Sequence, residues 1–135
     1  MEINAKFRGK CKIIDKQICP EDGWVSGFFY QDLVNGEIKS YIVNCPCIWE
    51  VLEETVSQFT GLLDKNDKEI YNGDIIASGL NNEIKHIISY QDIDAQYVAW
   101  FSKNDYCSIT QKWIKEFNKV IIGNVYDNKD LFKLI

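Results

Sequence analysis

The stretch from Ser57 to Ala77 constrains this chain most, because it sets a tight turn and a Gly-Asp strand opening side by side. Asp64-Lys65-Asn66-Asp67 has the residue types of a turn between apolar runs, since Asn and Asp bond their own backbone or accept positive φ. Phe59 to Leu63 is therefore expected to double back on Glu69 to Tyr71. Asn72-Gly73-Asp74 marks a second turn, and Ile75-Ile76-Ala77 begins a new strand.

The remaining segments have the same character. Ile3, Ala5, Phe7 and Gly9 alternate with polar residues at the period of a half-buried strand, which Lys12 to Asp15 continues or re-pairs. Pro20, Asp22 and Gly23 form a turn. Trp24 to Gln31 and Ile38 to Val43 flank Val34-Asn35-Gly36-Glu37, whose Asn-Gly pair is a hairpin signal. Asn44-Cys45-Pro46 ends that strand, because Pro cannot donate to a central ladder, and Ile48 to Val56 reads as a short strand or irregular connection. Later strands are expected at Ile84 to Tyr90, Gln96 to Phe101, Tyr106 to Ile109 and Val120 to Tyr126, and five short strands at this spacing suit a small barrel. Ile109, Trp113, Ile114 and Phe117 recur near helical spacing behind Thr110, a candidate N-cap for a two-turn helix. The tail from Asp127 to Phe132 forms a last turn, with Leu131, Phe132 and Leu134 covering one barrel end. The fold class expected is mainly β, with a β-rich N-terminal part over 1–56, a small barrel over 57–135 and one or two short helices; the two parts form separate domains or one compact unit.

Composition narrows the setting. Aromatic residues make up 13% of the 135, and they favour pleated, half-buried surfaces. No run approaches a membrane span and MEINAKFRGK lacks the apolar core of a signal peptide, so a cytoplasmic protein without membrane association is expected. The net charge of −5 is uneven: Lys6, Arg8, Lys10, Lys12 and Lys16 against Glu2 and Asp15 give the first 16 residues a local +3 and leave −8 for the rest. An isoelectric point near 4.9 argues against tight non-specific DNA binding, which rests on phosphate neutralisation. The basic segment is read first as a solvated edge strand, where Lys blunts edge pairing.

Chemistry-bearing motifs are sparse. Cys11, Cys19, Cys45, Cys47 and Cys107 lack the even spacing of a disulfide framework and read as reduced thiols. Cys45-Pro46-Cys47 is tighter than the usual zinc pair, and Cys11, Cys19, Cys107 and His86 are scattered, so no metal site is expected. His86, the only histidine, lies between Lys85 and Ile87 and reads as a strand-surface residue. Asp64, Asp67, Glu69 and Asp74 crowd eleven residues without EF-hand spacing; turn-capping is the preferred reading, with Asp74 bonding backbone amides after Gly73. Phosphate loops, dinucleotide turns and zinc-protease helices are all missing, and no enzyme activity or cofactor is expected.

Three separated pieces resemble the YopX family of phage and prophage proteins. Lys6-Phe7-Arg8-Gly9-Lys10 followed by Gly23-Trp24-Val25-Ser26-Gly27 is similar to its N-terminal strands. Thr55 to Leu62, through Asp64-Lys65-Asn66, Glu69-Ile70-Tyr71 and Gly73-Asp74-Ile75-Ile76, is the most specific match, and Val120 to Asn128 resembles the closing segment. The chain departs at Asn66-Asp67, where the family commonly has Asn-Gly, which weighs against a type I′ turn there. It also carries Ser57 in place of a common Gly. The resemblance implies an SH3-like barrel in the C-terminal half and a phage or prophage gene, and it implies no catalytic residue.

SH3-like barrels often bind peptides or nucleic acids through aromatics near one mouth. Tyr71, Asp74, Tyr90, Tyr97 and Trp100 are accordingly the candidate binding residues of the barrel, each weighed against plain core packing. Two functional readings follow. The first is a non-enzymatic accessory protein that binds a protein partner through an aromatic or acidic barrel surface. The alternative is a nucleic-acid-associated module, in which Lys6, Arg8 and Lys10 meet phosphate while exposed aromatics stack bases.

Overall fold

A computed structural model of the chain describes residues 6–12 and 18–133. Ile3, Ala5, the segment from Ile13 to Asp15, and Leu134 lie outside the described residues. The chain divides into two compact units, Met1–Phe59 and Thr60–Ile135. Among the described residues no helix is long and apolar enough to cross a membrane.

The first unit is an antiparallel sheet of β1 (Phe7–Lys10), β2 (Trp24–Val34), β3 (Glu37–Asn44), β4 (Cys47–Val51) and the start of β5 (Ser57–Leu63). Its order is β4-β3-β2-β1-β5. Asn35 and Gly36 both take positive φ, 53° and 84°, so the Asn-Gly pair closes β2 on β3 in the primed geometry that matches strand twist. β1 is not the edge strand that its lysines suggested: Arg8 pairs with Ser26 on one side and Ser57 on the other. The sheet also curls back on itself, because Leu52 N–H donates to Lys10 O at 2.8 Å and Lys12 N–H to Glu50 O at 3.0 Å. With both neighbours in place, β1 has no open ladder to protect. Alternation then turns Phe7, Val25, Phe29, Ile42 and Trp49 inward around Cys11 and Val51. Gly27 marks the point where β2 leaves β1 for β3. Its φ is 156°, and a Cβ there would overlap the Val43 carbonyl oxygen.

The second unit holds the rest of β5, β6 (Glu69–Tyr71), β7 (Asp74–Ser78), β8 (Ile84–Gln91), β9 (Gln96–Trp100), β10 (Tyr106–Ser108), α1 (Gln111–Glu116) and β11 (Val120–Asn124). Its five-stranded antiparallel sheet runs β10-β9-β8-β7-β11 and is open, consistent with a small barrel-like fold. Thr110 Oγ1 accepts the Trp113 amide at 3.1 Å and so caps α1, as its sequence position predicts. α1 places Ile114 over Ile70, Ile76, Ile88 and Ala99, which form the buried core. β11 stops two residues short of expectation, because the Asn124 side chain accepts the amides of Tyr126 and Asp127 and draws the backbone into a turn.

The turn between β5 and β6 is built on Asp64, which is 1% exposed. Its carboxylate accepts backbone amides from Asn66 at 2.8 Å, Lys68 at 2.9 Å and Ile121 at 3.0 Å. Asp67 takes φ 63° while Asn66 does not reach positive φ, so this is not a type I′ turn. Asp74 closes the next turn by accepting the Tyr71 amide at 2.8 Å. That amide lies two residues before Gly73 in sequence.

Candidate functional site

In the first unit the residues that alternation turns away from the core form a continuous row. Phe28 sits opposite Val43, and Val43 opposite Ile48, so three apolar side chains cross β2, β3 and β4 at one level. Phe28 is 71% exposed and Ile48 59%. One level along, Tyr30 faces Tyr41 with ring centroids 5.0 Å apart and planes 18° from parallel, and Tyr30 is 42% exposed. Soluble proteins rarely leave several large apolar side chains contiguous on an otherwise polar surface without use. The face can bind by shape and apolar burial.

The same outer face carries the basic residues of β1. Lys10 pairs directly with Trp24, and the Arg8 guanidinium lies 4.7 Å from the centroid of the Trp24 ring, with Lys10 Nζ at 5.8 Å. Arg8 and Lys10 thus hold their charges over an aromatic face. Lys6 is half-buried, and its carbonyl accepts the Phe59 amide at 2.8 Å.

In the second unit a polar group lies inside. Lys119 is 4% exposed; its Nζ donates to Ser78 Oγ at 2.7 Å and lies 4.8 Å from the Trp113 ring centroid. Burial lowers its pKa, with Cys107 opposing. His86 is 6% exposed, which corrects the strand-surface reading: its ring is wedged edge-on between Trp113, at 5.4 Å, and Phe101, at 6.0 Å. Its Nδ1 has no hydrogen-bond partner among the described residues. Burial, aided by the Lys119 charge, pushes its pKa down to about 4, so the imidazole is neutral at ordinary pH. Ser78, His86 and Lys119 are all buried, so this cluster is an interior feature rather than an open site.

The aromatics named as candidate binding residues of the barrel are spread over both faces of its sheet. Tyr90 packs on its cross-strand partner Tyr97 at 5.4 Å, and Trp100 on its partner Tyr106 at 4.7 Å. Tyr97 and Trp100 are three residues apart on β9, an odd separation, so the two pairs stand on opposite faces. Tyr71 and Asp74 are buried and engaged in the turn described above, which removes them from any open surface. Cys45 and Cys47 are exposed, while Cys11 and Cys19, scattered in the sequence, meet with their sulfurs 2.8 Å apart. Among the described residues no three His, Cys, Asp or Glu side chains converge as metal ligands do. The aromatic row on β2–β4 escaped sequence reading because Phe28, Phe29 and Tyr30 are all apolar or aromatic. Alternation alone does not say which of the two faces is buried.

The fold is that of the crystal structure of protein EF1440 from Enterococcus faecalis, with a TM-score of 0.53 and 19% identity over 96% of this chain and 97% of that one. At that identity the likeness speaks for the fold alone. No curated protein is significantly similar in sequence. A family model described as YopX protein matches residues 7–133. That match runs from the first strand through the Asp64 and Gly73 turns to the tail, nearly the whole length, and the chain belongs to the YopX family.

Proposed function

We propose that this protein is a non-enzymatic accessory module, of phage or prophage origin, that binds a partner protein through the outer face of β2, β3 and β4. The observation that carries the reading is the row Phe28, Val43 and Ile48 with the stacked Tyr30–Tyr41 pair beside it, exposed on the side of the sheet away from its core. Aromatic and branched apolar side chains held on a rigid sheet lose little entropy on contact, which is why such patches serve as anchors for partner side chains. A partner that presents apolar side chains to this row is therefore the matching chemistry. Nucleic acid matches less well, since the net charge is −5 and Arg8 and Lys10 lie over Trp24.

Tagged protein and a Phe28→Ser/Ile48→Ser variant, incubated with bacterial host lysate with and without nuclease, test this. A stoichiometric protein that survives nuclease and is lost from the variant supports the reading. Capture that vanishes with nuclease moves the assignment to nucleic acid, and capture unaffected by the variant rules out this face. Sedimentation of the purified protein separates a foreign partner from a second copy of the chain.

A further inference from the structure

We propose that Cys11 and Cys19 are an oxidisable thiol pair, joined by a disulfide when the protein meets a hydroperoxide. The two sulfurs are 2.8 Å apart across eight positions of sequence, and a disulfide requires a further approach of less than about 1 Å. Neither position is held by the thiols themselves. Cys11 continues β1: its amide donates to Gly23 O at 2.8 Å, and it bridges to Val51 on β4. On the other side, Ile18 O accepts the Trp49 indole N–H at 2.7 Å, and Pro20 O accepts the Gly23 amide at 2.9 Å. These bonds bracket Cys19 and seat it on the same core cluster as Cys11. The backbone thus delivers the pair in near-bonding position, which converts the second step of oxidation into an intramolecular one.

The order of steps follows from exposure. Cys11 is buried, whereas Cys19 is half-buried beside the exposed Pro20, Glu21 and Asp22. The Cys19 thiolate attacks the terminal peroxide oxygen, the O–O bond breaks, and the leaving oxide takes a proton; Cys19 becomes a sulfenic acid. Cys11 then attacks the Cys19 sulfur, gives up its own proton, and expels hydroxide, which leaves as water. Two thiols are oxidised and one peroxide is reduced. Burial and the Cys19 neighbour push the Cys11 thiol up to about 12, which makes it a poor first nucleophile; its place beside the Cys19 sulfur gives it the second role.

The test uses the full chain with Cys45→Ser and Cys47→Ser, because those two thiols are exposed and compete for oxidant. After limiting hydrogen peroxide, alkylation and peptide mapping should show Cys11 linked to Cys19, both protected from alkylation and both recovered with dithiothreitol. The melting temperature should rise by several degrees on oxidation and return on reduction. In a Cys19→Ser variant, oxidation of Cys11 should slow about tenfold or more. Since Cys11 packs in the core, its own substitution is avoided. Cys19 carried to sulfinic acid while Cys11 still alkylates, or both thiols still alkylated after peroxide, overturns the proposal.

Discussion

His86 links folding to pH in a way that can be worked through numerically. Its folded pKa is held down to about 4 by burial between Trp113 and Phe101, against 6.5 for a solvated imidazole. Above pH 6.5 the imidazole is neutral in both states and the native contacts keep their full value. Between 6.5 and about 4 the unfolded chain takes up a proton that the folded chain refuses, so stability falls as the pH falls. The whole separation is worth about 3.4 kcal/mol, and the portion lost between about pH 7.5 and 5.5 is about 1.3 kcal/mol. Because this is the only histidine in the chain and that interval lies above most carboxylate titrations, the slope is assignable. Urea unfolding, followed by tryptophan fluorescence and circular dichroism across the interval, should show the midpoint dropping at lower pH. A His86→Phe variant, which keeps an aromatic ring in the slot, should show a nearly flat midpoint. A flat wild-type profile, or a slope that survives in His86→Phe, refutes the buried-imidazole argument.

Other perturbations follow from the same geometry. Asp64→Ala strands three backbone amides, of which that of Ile121 is least able to find water, and should cost about 3 kcal/mol in chemical unfolding. Unchanged hydrogen-exchange protection at Ile121 would contradict it. Gly73→Val places a branched side chain at φ +92°, with its Cβ 3.1 Å from the Tyr126 ring and 3.3 Å from Val125 Cγ2, and should cost about 2 kcal/mol or more. A melting temperature equal to wild type would discard that account of the turn. Phe28→Ser/Ile48→Ser, by contrast, should leave stability within about 0.5 kcal/mol of wild type, because both side chains already face solvent; a large loss would mean that they pack inside.

Turn chemistry was the most legible level of this chain. Asn35-Gly36, Asp64 to Asp67 and Asn72-Gly73-Asp74 each carry their conformational preference locally, and all three close hairpins or open strands where expected. Thr110 likewise announced α1, because a capping hydroxyl acts on an amide three residues away. The candidate site was far less legible. The barrel aromatics recur along the strands without declaring which face each takes, and register sends Tyr97 and Trp100 to opposite faces. The solvent-facing row on β2–β4 sits in a segment where consecutive residues are all apolar or aromatic.

What the sequence by itself determined is therefore most of the strands and the turns between them, because propensity, positive φ and capping are decided within a few residues, and the family, whose motifs are local runs of residues. Tertiary structure alone decided which face is covered and which residues meet across long separations. His86 is buried because α1 carries Trp113 over it, β1 is central because β5 returns beside it, and Asp64 reaches the Ile121 amide 57 positions away. Burial and desolvation depend on what packs from elsewhere in the chain, and no local pattern of residues encodes that.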